Sequence, residues 1–546
     1  MDEALHIGKN ILYKKPFYVN LFLSFLTTLL LSFSFPSPCI SYLAWIALVP
    51  WFIIISTGYR AGLFSYLTGF LFFVFNLTWL WSVTGFGWIL LALYLALYLY
   101  GFGLVIHFLR KRLRLPHLFI APFVWVAFEY LRSFPYFGFP WFFVGHSQYL
   151  HLPLIQIADI TGVYGISFLI VAINASIADL IEQFLLKRFH GSEEGSAVFS
   201  DNNRKIFWIT IIVPCALMSA VLVYGYSDLR SKHALPEGPN ICVVQGNVPQ
   251  GVKIKEDKEE KKKILLKYTD LSLKAAGKNV DIIVWPETTV PGILNINPKL
   301  LNREIDRLSK ESVQTITDAT FANLILGGTA IDVRDSNALY FNTAFYFDRH
   351  GEYLDRYDKI YLVPFGEFIP FEEWLSIFSY LVPYSVSLSG GGERTIFELD
   401  TRKDDRLCKF GVIICYEDTV APLVRKFRKD GADFMINITN DAWFHDSSEL
   451  DQHLAVMVFR AVENRTTITR AANSGISSFI APNGEIYDYL NNEGKYKETE
   501  GILCNRIRFE NSGESWYTNY GDVFAISCLS VTAVLFLAAL TRRILT

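Results

Sequence analysis

One stretch of this 546-residue sequence limits the possible folds more than any other feature. Residues 16–109 contain a single Lys, Arg, Asp or Glu, which is Arg60. A soluble protein has to cover its surface with polar groups, and charged side chains do this most effectively. The stretch therefore excludes a soluble multidomain protein. The net charge of −3 gives no basic field, which excludes a nucleic-acid-binding protein.

Apolar segments of about 20 residues, enough to cross a bilayer, recur along the chain and end at turn signals. We interpret eight of them as transmembrane helices. The first could instead be a signal peptide, but no small-residue cleavage site follows it. Their predicted bounds are 17–35, 40–56, 61–83, 88–109, 115–131, 163–186, 206–226 and 523–541.

The positions of Lys and Arg support this count. With the amino terminus in the cytoplasm, the cytoplasmic connections and both tails carry fourteen such residues, whereas the short outward connections carry only Arg132. Cytoplasmic loops of membrane proteins collect positive charge, and one missed helix would invert every later loop. We therefore predict a multi-pass protein of the bacterial cytoplasmic (inner) membrane with both termini inside. Its parts are a membrane domain at 1–230, a periplasmic domain at 231–522, and a last helix with its tail at 523–546.

The exported domain alternates apolar β-rich runs with polar helical stretches, a pattern that indicates an α/β layered domain. Seven cysteines show no CxxC pair and no disulfide framework. We predict strands at 240–244, 281–284, 323–327, 344–348, 409–414 and 434–438, a hairpin around 483–484, and helices at 253–276, 303–315 and 452–462.

Three of these predicted strands lead to chemically reactive side chains. Glu287 follows an apolar run and Trp-Pro, Lys359 lies among apolar residues, and Cys415 ends a strand. Each also has an ordinary structural explanation. In that case Glu287 is a turn or cap residue, Lys359 a surface charge and Cys415 a small core side chain. Two more carboxylates lie close in sequence, Glu367 eight positions after the lysine and Glu417 two after the cysteine.

The order Glu, Lys, Cys with these spacings resembles the nitrilase superfamily of Glu-Lys-Cys amidases. With eight helices around the domain, the chain resembles the membrane-integrated apolipoprotein N-acyltransferase family. The departure from the family pattern is Ile254, where a Trp is usual. Segments that carry the resemblance are 285–287, 362–367, 415–417, 244–247, 437–444, 452–453, 460–461 and 138–141.

The resemblance implies a nitrilase-like α-β-β-α sandwich attached to an α-helical transmembrane bundle. It also implies the substrates: a phospholipid gives a fatty acyl group, and the amine of an S-diacylglyceryl-cysteine on an apolipoprotein receives it. We expect no cofactor, no nucleic-acid partner and a monomer. The alternatives are a membrane-anchored amidase that hydrolyses small amides, and a transporter or receptor that only binds a ligand.

The residue types themselves favour acyl transfer. A thiol attacks a carbonyl only as thiolate, so we assign Cys415 as nucleophile and Glu287 as its general base. A fixed ammonium stabilises the oxyanion that forms, which is the role of Lys359. Glu367 and Glu417 hold the lysine charged and oriented, or else form structural ion pairs.

Further side chains are candidates for substrate contacts. Tyr416 follows the nucleophile and offers its N–H or its ring, and Trp443 is placed near the site by resemblance only. His445 and His453 lie eight apart among acidic residues, but no third ligand has recognisable spacing, so we predict no metal site.

Segment 371–382 has apolar residues at helical spacing, which predicts either a membrane-dipping lid or a core-facing helix. Trp374 and Phe378 are its candidate lipid contacts, and residues 390–392, three glycines, are a candidate hinge. Glu129 and Arg132, near the outer end of the fifth predicted span, form a local pair that either is structural or holds a lipid headgroup.

Overall fold

The chain forms two compact units in a computed structural model. The helical unit is Met1–Trp81, Gly85–Arg230 and Asp522–Thr546, and the sheet unit is Ser82–Thr84 and Ser231–Gly521. The residues that the structure describes are 16–134, 138–189, 203–231, 235–253, 257–296, 303–334, 337–368, 387–402, 406–509 and 513–545.

The helical unit is built from apolar helices joined by short helical turns. Its longer helices are α1 (Pro16–Ser34), α2 (Val49–Thr57), α3 (Ala61–Asn76), α4 (Gly87–Leu113), α5 (Ala121–Leu131), α6 (Val163–Phe189), α7 (Asn203–Ser231) and the C-terminal helix Val523–Leu545. Short helical segments are Ser41–Leu43, Ala44–Ala47, Thr78–Leu80, Trp81–Thr84, His117–Phe119, Val144–Gln148, Leu152–Ile155 and Ala158–Thr161.

Five of the described helices are long and apolar enough to cross a membrane, and a sixth is counted if α3 and the bent segment after it form one span. Predicted spans two and five instead correspond to shorter apolar helices, Ser41–Thr57 and Ala121–Leu131. Both α2 and α5 carry a proline in their first turn, which starts a helix but cannot continue one from an earlier residue. The helices support a membrane protein, and the count of eight stays a prediction.

The sheet unit contains two six-stranded sheets, ordered β12-β1-β2-β3-β4-β5 and β11-β10-β9-β8-β7-β6. In each sheet three neighbouring strands are parallel and largely buried, which is why most of them carry apolar runs; the exception is β9, which contains Thr467, Thr469 and Arg470. The strands are β1 (Glu237–Gln245), β2 (Ile282–Val284), β3 (Asn323–Arg334), β4 (Asn337–Phe347), β5 (Tyr353–Asp358), β6 (Ile396–Asp400), β7 (Leu407–Ile414), β8 (Phe434–Thr439), β9 (Thr467–Ala472), β10 (Ser478–Ile480), β11 (Ile486–Tyr489) and β12 (Gly501–Arg508).

Helices cover the outer faces of both sheets. The first sheet carries α8 (Lys258–Leu273) and α9 (Glu304–Thr320), whose apolar residues join its core. The second carries α10 (Ala421–Lys429) and α11 (Glu449–Asn464). Between the sheets, Tyr346 of the first makes ring contacts with Phe397 and Phe410 of the second. This is the predicted α-β-β-α sandwich. Two short helices, Gln250–Lys253 and α12 (Trp516–Tyr520), complete the unit.

A disulfide joins the first and last strands of the sheet unit. Cys242 on β1 and Cys504 on β12 are directly opposite in the antiparallel register and are bonded to each other. They are 262 residues apart in sequence, so their spacing gave no sign of pairing. The bond links β1, which follows α7 in sequence, to β12, the last strand before the C-terminal helix.

Candidate active site

The three candidate catalytic side chains follow strands of both sheets and meet. Glu287 lies three residues after β2, Lys359 directly follows β5, and Cys415 directly follows β7. Lys359 Nζ is 3.4 Å from Glu287 Oε1. Electrostatic interactions link the Cys415 thiol to both charges. The structure therefore groups the residues that the sequence assigned to nucleophile, base and oxyanion stabiliser.

Lys359 is a fully buried cation held between two carboxylates. Its Nζ lies 2.9 Å from the Glu367 carboxylate as well as 3.4 Å from Glu287. Burial alone lowers the pKa of a lysine, but Glu367 and Glu287 outweigh it and raise the pKa of Lys359 well above its usual value. The side chain is thus an ammonium throughout the physiological pH range, as an oxyanion stabiliser has to be.

Glu287 receives hydrogen bonds on both oxygens. Asn342 Nδ2 donates to Oε1 at 2.7 Å and the backbone N–H of Asn440 donates to Oε2 at 2.9 Å. Both contacts come from N–H donors, which fix the orientation of the carboxylate. A fixed carboxylate beside a thiol is the arrangement that a general base requires.

Cys415 begins the short helical turn Cys415–Thr419 and has a φ of 52°, in the left-handed region that non-glycine residues rarely adopt. Such backbone strain is concentrated at functional sites. Burial raises the pKa of its half-buried thiol well above the usual value; Glu287 raises it further, and Lys359 partly offsets this. The resting sulfur is therefore a thiol, and attack needs a base to remove its proton.

Glu367 is the direct partner of Lys359. Its carboxylate also accepts the backbone N–H of Val363 at 2.8 Å and the Asn342 side chain at 3.0 Å. The amide of Asn342 thus bridges Glu367 and Glu287, so the two carboxylates around the ammonium are held at a fixed separation.

Glu417 hydrogen-bonds groups around the site, and its interaction with the Lys359 ammonium is electrostatic. One carboxylate oxygen accepts from the Tyr357 hydroxyl and from the N–H groups of Ile360 and Tyr361, at 2.7–3.0 Å. The other accepts from Ile414 N at 2.8 Å. The pKa of Glu417 is raised to about 7. Burial is the largest cause, and the N–H donors act in the opposite direction. The side chain ties the end of β5, which carries Lys359, to the end of β7, which carries Cys415.

The remaining candidates of the sheet unit are only partly placed. Tyr416 is buried beside the nucleophile, and Trp443 ends the short turn Asp441–Trp443 that follows β8. Trp374, Phe378 and Ile254 lie outside the described residues, so the lid hypothesis stays a prediction.

The predicted glycine hinge has another explanation. Gly391 N donates to the Lys359 carbonyl at 2.8 Å, and a Cβ at this residue would clash with the Asp358 carbonyl oxygen. The absence of a side chain thus lets this segment lie directly against the residues that carry the ammonium. Gly391 is required for this close approach, and the hinge at 390–392 stays a prediction.

Two groups of acidic and histidine side chains among the described residues have metal-ligand spacing: His117, Asp179 and Glu182 in the helical unit, and Asp441, Glu449 and His453 in the sheet unit. His445, the other histidine considered from the sequence, is exposed. Arg470 Nη2 lies 2.7 Å from the Asp441 carboxylate and 2.9 Å from His453 Nδ1. A guanidinium already compensates the charge of this second group, and a metal ion would have to displace it.

Glu129 and Arg132 in the helical unit bind the chain's own backbone. Arg132 donates to the carbonyls of Trp141 and Phe142 at 2.7 and 3.2 Å, and Glu129 accepts the N–H of Val144 at 2.8 Å. Both side chains are buried. The geometry favours the structural alternative, in which the pair fixes the segment after α5.

Sequence reasoning missed three residues that contact Glu287. Asn342 was detectable as a polar residue inside an apolar strand, and Asn440 lies in a segment noted only for its resemblance. Lys253 was interpreted as part of a solvated helix, but its Nζ lies 3.4 Å from the Glu287 carbonyl. The pKa of Lys253 is lowered to about 7 by burial, which outweighs the opposite effect of the Glu287 charge. Nothing in its local sequence indicated this position.

Two family models match this chain. Residues 27–176 match the apolipoprotein N-acyltransferase N-terminal domain, and residues 240–512 match the carbon-nitrogen hydrolase family. The sandwich and its Glu-Lys-Cys group, joined to apolar helices, define the class: a membrane-integrated enzyme of the nitrilase type.

Full-length relatives narrow this class. An apolipoprotein N-acyltransferase of Geobacter metallireducens is 35% identical over 95% of each chain, and one of Chlorobaculum tepidum is 28% identical over 100% of each. A solved Nesterenkonia amidase of the nitrilase superfamily, 15% identical, covers 54% of this chain and 95% of its own with a TM-score of 0.36, too low to support an argument. The chain belongs to the apolipoprotein N-acyltransferase family.

Proposed function

We propose that this enzyme moves a fatty acyl group from a phospholipid to the N-terminal amine of S-diacylglyceryl-cysteine on apolipoproteins, through a thioester on Cys415. The observation that carries the proposal is the grouping of Glu287, Lys359 and Cys415 in a chain of this family. A half-buried thiol, a fixed carboxylate and a buried ammonium are the parts that thiol-based acyl transfer needs.

In the first step the Cys415 sulfur attacks the ester carbonyl of the phospholipid. The thiol proton passes to Glu287, and Lys359 stabilises the negative oxygen of the tetrahedral intermediate. The C–O bond then breaks, and the departing alkoxide takes the proton back from Glu287. The products are an acyl thioester on Cys415 and a lysophospholipid.

In the second step the acceptor amine attacks the thioester carbon. Its proton passes to Glu287, the C–S bond breaks with the electron pair on sulfur, and Glu287 returns the proton to Cys415. The acyl group ends as an amide. In this scheme Glu367 keeps Lys359 charged, Glu417 holds the two strand ends in register, and Tyr416 and Trp443 contact the acyl chain.

The apolar helices support a lipid as acyl donor, since a soluble amide would need no membrane attachment. We infer that the sheet unit lies on the periplasmic side and both termini in the cytoplasm. Two observations support this: the fourteen-to-one Lys and Arg distribution, and the Cys242–Cys504 disulfide, which is typical of an oxidising compartment. We expect a monomer without a nucleic-acid partner.

The proposal is tested by mass spectrometry of the purified full-length protein after incubation with phospholipid vesicles. We expect a mass increase of one fatty acyl group on the peptide that contains Cys415, and none in Cys415→Ala. Addition of a diacylglyceryl-cysteine lipopeptide should then remove the acyl group and yield the N-acylated lipopeptide. Stable acylation that persists with lipopeptide present would contradict the transfer step. Turnover of a water-soluble amide without lipid would favour the amidase alternative.

A further inference from the structure

An arginine lies inside the second sheet, on a strand whose six residues are all buried. Arg470 belongs to β9, has no exposed surface, and pairs in register with Asn437 of β8. Taking a guanidinium out of water is costly unless carboxylates compensate its charge and accept its hydrogen bonds. The partners of Arg470 therefore explain why a cation is found at this position.

Two carboxylates bind Arg470 through different nitrogens. Nη2 donates to Asp441 Oδ2 at 2.7 Å, and Nη1 donates to Asp418 Oδ2 at 3.3 Å. His453 lies between the same groups, with Nε2 at 2.9 Å from Asp418 and Nδ1 at 2.9 Å from Arg470 Nη2. All four side chains are buried. One guanidinium thus connects two aspartates that lie on different segments of the chain.

The first aspartate belongs to the segment that carries the nucleophile. Asp418 lies three residues after Cys415, in the helical turn Cys415–Thr419. Because Cys415 has a strained backbone with a φ of 52°, the surrounding structure has to hold this turn in place. Arg470 does so through Asp418. A longer connection runs through Asn437, which accepts from Arg470 Nη1 and donates to the Cys415 carbonyl, each at 3.5 Å.

The second aspartate adjoins the residue that orients the general base. Asp441 directly follows Asn440, whose backbone N–H donates to Glu287 Oε2 at 2.9 Å. Burial alone raises the pKa of Asp441, but the charge of Arg470 outweighs it and holds this pKa below its usual range. Asp441 is therefore a carboxylate bound to the guanidinium, and its fixed position fixes the adjacent N–H that holds Glu287.

We propose that Arg470 is a positioning residue for acyl transfer. It holds the Cys415 turn through Asp418 and the N–H donor of Glu287 through Asp441, and so fixes the nucleophile and its base relative to each other. The proposal rests on the proposed roles of Cys415 and Glu287. No bond is made or broken at Arg470, and no proton leaves it.

The shape of the guanidinium gives a test that separates positioning from charge compensation. Its planar fork presents separate N–H groups to two carboxylates at once, whereas a lysine ammonium is a single point charge on a flexible chain. Arg470→Lys therefore keeps the compensating charge and removes the two-point connection. The matched control is Arg460→Lys, since Arg460 on α11 is also a buried arginine and pairs with Glu463 at 2.9 Å.

Three measurements on the full-length protein in detergent are compared between the two variants. They are thermal unfolding, the kinetics of lipopeptide N-acylation, and the rate of Cys415 alkylation by iodoacetamide at about pH 8, near the usual pKa of a thiol. Mass spectrometry of the Cys415 peptide separates it from the other free cysteines of the described chain, which include Cys39, Cys215, Cys408 and Cys528.

We expect both variants to lose thermal stability to a similar extent. Only Arg470→Lys should lower kcat, by about tenfold, with an unchanged KM for the lipopeptide, because misplaced reacting groups slow the chemical step and not binding. Cys415 alkylation should also slow several-fold in this variant alone, since the thiol gives its proton to Glu287. Wild-type kcat and alkylation in Arg470→Lys, or an equal loss of kcat in both variants, would overturn the proposal.

Asp418→Asn gives a second measurement of the same connection. It removes the charge that Arg470 Nη1 binds and keeps the shape of the side chain. We expect a several-fold lower kcat, and no further loss when Asp418→Asn is added to Arg470→Lys, because both changes break one connection. Should Arg470→Lys not fold, kcat and alkylation at wild-type levels in Asp418→Asn would overturn the proposal.

Alkylation requires no lipid and no acceptor, so it separates this inference from the proposed function. Slower alkylation in Arg470→Lys alone, with a wild-type protein that never forms an acyl thioester, would contradict acyl transfer and leave Arg470 as a positioning residue. Acyl transfer and alkylation at wild-type rates in Arg470→Lys would contradict the role of Arg470 and leave acyl transfer in place.

Discussion

Both units of this protein bury charged side chains, and they use them differently. In the helical unit Asp179 accepts the backbone N–H groups of His117 and Leu118, and Arg132 donates to two backbone carbonyls. In the sheet unit Glu287, Lys359 and Glu367 contact one another beside a thiol. The same residue types thus complete the backbone in one unit and form a reactive site in the other.

The difference follows from how each unit satisfies its backbone. Where a chain leaves a helix inside a membrane, no water is available to bond its N–H and C=O groups. Each unsatisfied group costs several kcal/mol of stability. Buried N–H groups in irregular segments of the helical unit, such as those of His117 and Leu118, therefore need side-chain partners. In the sheet unit the strands bond one another, so Lys359 at a strand end can face carboxylates, although Glu417 there still binds backbone N–H groups.

The largest expected effect is that of Lys359→Met in the sheet unit. It leaves Glu287 and Glu367 buried without their cation and removes the oxyanion stabiliser. We expect N-acyltransfer to fall by a factor of about 10³ or more. The free energy of unfolding should fall by about 3 kcal/mol, the cost of breaking a buried ion pair.

The measurements are an N-acylation assay on a lipopeptide and thermal unfolding in detergent. Lys409→Met is the control, since its Nζ makes a surface ion pair with Glu398 and both side chains are about half exposed. Retention of full activity in Lys359→Met would contradict the assigned role of the ammonium.

Arg132→Met tests the structural use of charge in the helical unit. It removes the donors to the Trp141 and Phe142 carbonyls, so we expect unfolding to be about 2 kcal/mol easier. The iodoacetamide alkylation of Cys415 should not change. Arg60→Met, at an exposed arginine, is the control and should be neutral. Unchanged unfolding together with a raised KM for phospholipid would instead support the headgroup hypothesis drawn from the sequence.

The sequence predicted most of the central strands of the sheet unit. All six strands predicted from apolar runs overlap real ones: five fall on parallel strands that are largely buried, and 344–348 falls on the buried end of antiparallel β4. β5, with its exposed Tyr353 and charged Asp355, and the buried β9, which contains Arg470, lack an apolar run and were missed. Predicted spans two and five correspond to shorter helices that begin at a proline.

The site was predictable where residue type and order carry the chemistry. Glu287, Lys359 and Cys415 followed from motif order. Asn342 is visible as a polar residue inside an apolar strand, but its contact with Glu287, 55 residues earlier in the chain, has no sequence signal. Lys253 has no local feature that distinguishes a contact of Glu287 from a solvated helix residue.

A smaller effect is expected from Tyr357→Phe. The hydroxyl is one of four donors to Glu417, so its loss weakens the link between β5 and β7 by about 1 kcal/mol. Because Tyr357 touches the Glu417 carboxylate and not the reacting atoms, we expect a several-fold lower kcat and an unchanged KM for the lipopeptide. The control is Tyr346→Phe, which loses one hydrogen bond to the Glu398 carbonyl away from the site. Equal kcat in both variants would show that Glu417 does not need this donor.

The smallest effect at neutral pH should come from Glu449→Gln, beside Asp441 and His453. Burial and the charge of Asp441 raise the pKa of Glu449 to about 8, so its carboxyl group is protonated at pH 7 and resembles an amide. We expect a change in unfolding of about 0.5 kcal/mol or less at this pH.

The pH dependence distinguishes Glu449→Gln from wild type more sharply. The folded protein holds the Glu449 proton more tightly than the unfolded chain, so its stabilising contribution is complete below the ordinary carboxyl pKa and is lost as pH rises toward 8. Wild type should therefore lose more thermal stability between pH 5 and pH 9 than Glu449→Gln, whereas Glu311→Gln, at an exposed residue of α9, should follow wild type. Parallel curves for wild type and Glu449→Gln would contradict the raised pKa of Glu449.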